Sequence, residues 1–278
     1  MTDMTKHIRV RSGSASLFVR DSGTGSPIVF LHAGVADHRA WLPCIDALSG
    51  VSGPFRAVAY DRRGFGETEF TNERYSRVAD LIAVLDASKI KQAILVGNSQ
   101  GGRVAIDAAL AHPDRVRALV LIGTAVSGAP AVDDYPLATQ RLIERIEAAE
   151  NAGDLDAMNL LQAHLWLDGP TASEGRVSGT ARPLFIDMNS RALRAGDAGK
   201  VTDEIDAWQS LPTLRIPVFI LIGDLDLSHL LNRSRQMSEV IDDAEMVMLD
   251  GCAHMSALEA PTRCAHLIAD FLDRRGLL

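Results

Sequence analysis

A serine between glycines, an aspartate and a histidine, each just after an apolar run, are the residues of this sequence best placed to do chemistry. Ser99 lies in Gly97-Asn98-Ser99-Gln100-Gly101. In this G-x-S-x-G spacing small flanking residues let a strand turn directly into a helix with the hydroxyl lifted clear. The turn is tight enough to force the serine into a sparsely populated backbone conformation. It also points the Gln100 amide inward, beside a helix N-terminus. A serine hydroxyl is a poor nucleophile at neutral pH and needs a base within hydrogen-bond reach. The base in turn needs a carboxylate to fix its tautomer and stabilise the imidazolium. Taken alone, the pentapeptide leaves open an ordinary glycine-rich turn.

The partners should follow strands, because sites on parallel sheets lie beyond the C-terminal strand ends. Gly223-Asp224-Leu225-Asp226 follows the run Val218–Ile222, and Gly251-Cys252-Ala253-His254 follows Glu245–Leu249. Asp226 is the preferred acid. Asp224, nearer the strand end, suits a turn-supporting role, and an exchange of the two stays open. His254 is the preferred base. His7 and His38 read as surface residues, His112 precedes a proline, and His164 and His266 lie in helical segments. His229, just after the acid loop, is the runner-up. An oxyanion hole needs two amides aimed at developing negative charge. Gln100 supplies one, and the loop after Leu31 supplies the other through Gly34, where the backbone can approach closely. His32 reads as a residue that shapes this loop.

Positioning these groups takes an alternation of strands and helices. Ile8–Arg11 and Leu17–Arg20 predict an opening hairpin through Ser12-Gly13-Ser14, and Asp21–Pro27 a loop. Ile28–Leu31, Arg56–Tyr60, Ile94–Val96, Val116–Ile122, Val218–Ile222 and Glu245–Leu249 predict strands, most of them buried on both faces. Helical patterns fall at Asp37–Leu48 with Asp37 as cap, Tyr75–Leu85, Arg103–Leu110, Ser228–Ile241 and Glu259–Leu272. This order implies right-handed crossovers and a mostly parallel sheet. From Ala125 to Asp206 the periodicity is helical only, over Thr139–Ala149, Leu155–Trp166 and Leu184–Leu193. The chain therefore divides into an α/β core of residues 1–124 and 207–278 and a helical cap of residues 125–206. A cap at the strand ends can act as a lid or as a packing insert. Its Trp166, Phe185 and Met188 are candidate pocket residues, with cap core as the alternative. Arg182, Arg191 and Arg194 are candidate carboxylate binders, with solvated surface as the alternative.

The 278 residues carry a net charge of −8 and no basic run, which argues against nucleic-acid and anionic-membrane partners. No apolar stretch reaches membrane-spanning length. Met1–Val10 holds Asp3, Lys6, His7 and Arg9 without an apolar centre, so no secretory leader is expected. Cys44, Cys252 and Cys264 are scattered without a C-x-x-C pair, which suits reduced cytoplasmic thiols over disulfides or zinc. No metal and no cofactor is expected. The expected partner is a small-molecule substrate, and a homo-oligomer is compatible with the sequence.

His32-Ala33-Gly34, Tyr60-Asp61-Arg62-Arg63-Gly64-Phe65-Gly66, Gly97–Gly102, Gly223-x-x-Asp226 and His254-Met255-x-x-x-Glu259-x-Pro261 together resemble the α/β-hydrolase superfamily. The order Ser, Asp, His matches its triad. The resemblance spans nearly the whole chain outside the cap. It implies a central sheet of mainly parallel strands, a helical cap after the sixth strand and metal-free hydrolysis through an acyl-enzyme. Serine as nucleophile sets the chain apart from the aspartate-dependent epoxide hydrolases and haloalkane dehalogenases. Tyr60–Gly66 is similar to cofactor-free haloperoxidase/esterase relatives, and the segment around His254 to enol-lactone hydrolases. Gly97-Asn98-Ser99 also occurs in hydrolases of carbon–carbon bonds in ring-fission products, but there tryptophan typically follows the histidine, where this chain has Met255. The Gln100-Gly101-Gly102-Arg103 continuation departs from the usual lactonase pattern. The leading expectation is a serine hydrolase of a small ester or lactone using Ser99, Asp226 and His254. The alternatives are a carbon–carbon hydrolase and a slow-turnover small-molecule receptor on the same scaffold.

Overall fold

A computed structural model describes residues 5–132 and 134–278. The start of Met1–Val10, with Asp3, lies outside the described residues. The strands are β1 (Lys6–Ser12), β2 (Ala15–Gly23), β3 (Ser26–Leu31), β4 (Phe55–Tyr60), β5 (Ala93–Asn98), β6 (Val116–Ile122), β7 (Val218–Gly223) and β8 (Ala244–Leu249). They form an eight-stranded sheet in the order β1-β2-β4-β3-β5-β6-β7-β8. β1 and β2 make the antiparallel hairpin, β2 runs antiparallel to β4, and all pairings from β4 across to β8 are parallel. The helices are α1 (Leu42–Ser49), α2 (Arg77–Ala87), α3 (Gln100–Ala111), α4 (Leu137–Asn151), α5 (Leu155–Ala163), α6 (Ala181–Arg194), α7 (Ala207–Ser210), α8 (Ser228–Val240), α9 (Ser256–Glu259) and α10 (Pro261–Arg274).

Alternation along each strand feeds two cores. Ile28, Phe30, Ile94 and Val96 pack with Trp41, Ile45 and Leu48 of the α1 side and Ile268 and Phe271 of α10. Their neighbours Val29, Leu31 and Leu95 pack instead with Leu81 and Leu85 of α2 and Val104 of α3. With both faces covered, the middle strands must be apolar throughout, as parallel strands under helices are. Lys6, Arg9 and Arg11 charge the β1 edge, which discourages pairing with another chain. The chain leaves β3 for β4 on one side and returns to β5 on the other. That reversal opens a crevice at the C-terminal ends of β3 and β5, where Gly34 and Ser99 lie.

Four elements differ from the periodicity reading. Only Thr24 and Gly25 separate β2 from β3, because sheet pairing to β4 captures the polar residues on either side. Asp37 does cap, accepting from the Arg39 amide at 3.0 Å, but it caps a 3-10 turn over His38–Trp41 that precedes α1, with Pro43 in the first turn of α1. The last helix is likewise broken ahead of Pro261. α5 ends at Ala163 and continues as a π turn over His164–Asp168, a register change that apolar spacing does not reveal. Between β6 and β7, α4 and α5 pack through Leu142, Ile146, Met158 and Leu161, and Phe185 and Met188 of α6 are buried.

Candidate active site

Ser99 occupies φ +54°, ψ −118°, between the last residue of β5 and the first of α3. A non-glycine residue there is strained, and the surrounding turn has no slack to relieve it. A Cβ on Gly97 would sit 2.5 Å from the Gly102 nitrogen, and one on Gly101 would sit 2.0 Å from the Leu31 carbonyl oxygen. The two glycines therefore let strand, helix and the β3 end meet at backbone contact. The Ser99 amide donates to Ile122 O at 2.9 Å, fixing the turn to β6. The Ser99 hydroxyl forms no hydrogen bond among the described residues.

The histidine and acid arrive on loops after β8 and β7. His254 Nδ1 lies 2.9 Å from Asp226 Oδ2, with both side chains almost fully buried. Asp226 Oδ1 also accepts from the Leu227 amide at 2.7 Å. A proton on Nδ1 shared with the carboxylate leaves Nε2 as the acceptor. Asp224 points elsewhere: its Oδ1 accepts from the Gly251 amide at 2.7 Å, tying the acid loop to the histidine loop. The bond from Leu225 N to Cys252 O, 2.9 Å, adds a second tie. Asn98, overlooked in the sequence, links serine and histidine sides: its Nδ2 donates to Ile122 O at 2.8 Å and to His254 O at 3.1 Å.

Gly123 is a second residue that only the folded chain reveals. At φ +51° it follows the last residue of β6, and a Cβ there would lie 2.9 Å from His254 Nδ1 and 3.0 Å from Asp226 Oδ2. Gly123→Ala is expected to displace this pair and lower kcat about 10- to 100-fold, read in steady-state ester hydrolysis. Activity within twofold of wild type would show that the pair tolerates the displacement.

Gly34 and Gln100 bring two unengaged amides to the crevice, since neither N–H has a hydrogen-bond acceptor among the described residues. The Gln100 side chain lies against Gly34, where a Cβ would be 2.6 Å from its Nε2. His32 shapes this loop from a fully buried position, with Nε2 accepting the Arg62 amide at 3.0 Å and Nδ1 2.7 Å from Ala33 O. Burial, followed by the Arg62 charge, pushes its pKa down to about 3. The folded state therefore binds fewer protons than an unfolded chain, whose histidine titrates at the ordinary 6.5. Its contribution is complete above that value and drains away as pH falls from 6.5 toward 3. From pH 6.5 to 4.5, wild type is expected to lose about 2–3 kcal/mol more than His32→Gln, measured as parallel urea unfolding series. Parallel curves would exclude His32 as the source.

Of the other histidines, His38 is buried and donates to Asp61, not surface as its sequence context suggests: Asp61 Oδ1 accepts its amide at 2.7 Å and faces its Nδ1 at 2.9 Å. Asp37, His38 and Asp61 make a compact buried cluster, its oxygens engaged by one another's neighbours Arg39 and Glu67. His229 is half-buried beside Tyr135, with burial and then Arg233 lowering its pKa to about 4.

Between β6 and β7, the π turn presents Trp166 to His254, ring centroids 4.6 Å apart and planes 45° inclined. Phe185 and Met188 are buried against Ala33, Ala36, Met255 and Leu258, behind the Gly34 loop. Arg182, Arg191 and Arg194 are engaged by Asp168, Asp187 and Asp156, so their charges are taken up inside the cap. Arg176, which sequence reading passed over, reaches both sides. It donates to Leu167 O and Asp168 O of the cap, to Gly251 O at 2.8 Å and to Glu259 Oε1 at 2.5 Å. Glu259 Oε2 accepts the Ala253 amide at 2.9 Å.

The model of the alpha/beta hydrolase family matches residues 28–267. The 2-hydroxymuconate semialdehyde hydrolase of Pseudomonas sp. (strain CF600) is 30% identical over 91% of this chain and 89% of its own length. The 2-(acetamidomethylene)succinate hydrolase of Mesorhizobium japonicum is 28% identical over 95% of this chain and 94% of its own. Among solved structures, the enol-lactonase from Burkholderia xenovorans LB400 superposes with a TM-score of 0.75 at 23% identity, over 96% of this chain and 100% of that one.

Proposed function

The chain belongs to the alpha/beta hydrolase family, and from that premise we propose that it is a serine hydrolase of a small ester or lactone, working through an acyl-enzyme. The observation that carries this reading is the strained backbone of Ser99 at the end of β5, whose neighbour Asn98 bonds the His254 carbonyl, with His254 Nδ1 2.9 Å from Asp226. In the proposed cycle, Ser99 Oγ attacks the substrate carbonyl carbon as His254 Nε2 takes its proton. Negative charge gathers on the carbonyl oxygen, where the amides of Gly34 and Gln100 receive it. Collapse breaks the bond to the leaving oxygen, which takes the proton from His254. In a lactone that oxygen stays tethered to the acyl chain. Water then attacks the acyl-enzyme with His254 again as base, releasing acid and Ser99. Asp226 holds the imidazole in its tautomer and stabilises the imidazolium. Every step uses the chain's own residues, so the proposal invokes no metal or cofactor.

Trp166, Phe185 and Met188 are proposed to close the acyl pocket from the cap, Trp166 nearest to His254. Residues 125–206 form the cap in this proposal, and residues 1–124 and 207–278 the core. Buried, unpaired Cys44, Cys252 and Cys264 support a reducing, cytoplasmic location. Among the described residues no helix is long and apolar enough to cross a membrane.

One observation favours a second reading. The 30% identical 2-hydroxymuconate semialdehyde hydrolase is named for a substrate from ring-fission chemistry. A carbon leaving group would need a proton delivered to carbon, and Met255 stands where tryptophan typically follows the histidine in such enzymes. Paired assays separate the readings: p-nitrophenyl acetate and a small lactone in one, a coloured ring-fission dienone in the other. Turnover of the first pair with no bleaching of the dienone is the expected result. Bleaching that exceeds ester hydrolysis would replace the proposal with carbon–carbon cleavage.

A further inference from the structure

We propose that Arg62 is a positioning residue for the oxyanion hole, clamping the Ala33–Gly34 peptide so that its N–H faces the reacting carbonyl. The inference rests on the reading of Ser99 and Gly34 above and adds a residue to it. In a planar trans peptide the carbonyl and the N–H point opposite ways, so whatever holds Ala33 O sets the direction of Gly34 N–H. Two side-chain donors hold it. Arg62 Nη2 lies 3.1 Å from Ala33 O, and His32 Nδ1 lies 2.7 Å away. The His32 proton must be on Nδ1, because Nε2 accepts the Arg62 backbone N–H at 3.0 Å.

The same guanidinium reaches both halves of the hole. Arg62 Nη1 donates to Gln100 Oε1 at 3.2 Å, the residue whose amide is the second donor, and Nη2 also donates to His32 O at 3.0 Å. Without Arg62, only His32 Nδ1 and the long Ala36 bond would hold Ala33 O, so the Ala33–Gly34 peptide would spend more time turned away from the geometry that presents the Gly34 N–H.

The charge of Arg62 also stands out. The residue is 5% exposed, forms no ion pair with a carboxylate among the described residues, and leaves its buried Nε without a partner. Its guanidinium sits 4.7 Å from the Phe65 ring centroid. By contrast Arg63, next in sequence, is paired with Asp80 and Glu73. Burying an uncompensated cation is costly, and one placed behind two carbonyls polarises their peptides toward the side where negative charge would grow. A carboxylate beside Arg62 would cancel that field.

The test compares wild type, Arg62→Met and Arg62→Lys, with folding checked by thermal melts. Readouts are kcat and KM on p-nitrophenyl acetate, the rate of Ser99 labelling by a fluorophosphonate, and affinity for phenylboronic acid. The boronic acid adds the serine oxygen to boron and becomes a tetrahedral anion, so it reports on stabilisation of negative charge. The expected result for Arg62→Met is kcat and labelling rate about 10- to 100-fold lower, boronate affinity lower by a similar factor and KM within threefold. Arg62→Lys should recover part of each loss, since it keeps the charge but not the two-carbonyl bridge. Unchanged kcat and boronate affinity in both folded variants would overturn the clamp, as would a loss confined to KM. A wild-type protein that is not labelled at Ser99 would instead overturn the nucleophile assignment, and the clamp with it.

Discussion

Ser99→Ala is expected to lower kcat on p-nitrophenyl acetate about 10⁵- to 10⁶-fold and to abolish fluorophosphonate labelling. The loss is that large because in the proposed cycle no other group takes over the covalent step. The turn at Ser99 holds a strained φ of +54°, maintained by the close backbone contacts of Gly97 and Gly101 on either side. Alanine adopts the same backbone without new atoms, so melts of the variant should stay close to wild type. Whatever rate remains would come from the Gly34 and Gln100 amides acting on a water molecule. A variant retaining more than about 1% of wild-type kcat would place the nucleophile elsewhere.

Asp226→Asn should cost about 10⁴-fold in kcat, while Asp224→Asn should stay within a few-fold of wild type. The carboxylates are two residues apart, yet their environments assign them different tasks. Asp226 faces His254 Nδ1 at 2.9 Å, and an amide there can present N–H to the ring and drive its proton to Nε2, the nitrogen that accepts from serine in the proposed cycle. Asp224 accepts a backbone amide at 2.7 Å, a bond that an asparagine oxygen also accepts. Equal losses in the two variants would show that loop support, not tautomer control, limits the rate.

Much of this candidate site is legible in the chain because its residues stand at strand ends. A run such as Ile94–Val96 or Val218–Ile222 announces a buried strand, and a glycine or aspartate straight after it announces a turn at the sheet edge. The parts that escaped reading depend on distant partners. His38 looks like any polar residue near a helix start until Asp61, far along the chain, supplies its acceptor. Arg62 and Arg63 are the same residue type side by side, and only the fold gives one a pair of carboxylates and the other a set of carbonyls. The π turn escaped for a different reason. One inserted residue leaves the apolar pattern of α5 intact while rotating the segment beyond it, and that rotation brings Trp166 to His254.

The reach of Arg176 ties together two segments that are far apart in the chain. It fastens Leu167 and Asp168 to Gly251 and to the Glu259 that steadies Ala253. Moving Leu167 and Asp168 away would strain the bonds to Gly251 and Glu259 and, through Glu259, the Ala253 amide next to His254. Loosening the chain at Leu167 and Asp168 would therefore loosen the loop that carries His254 as well.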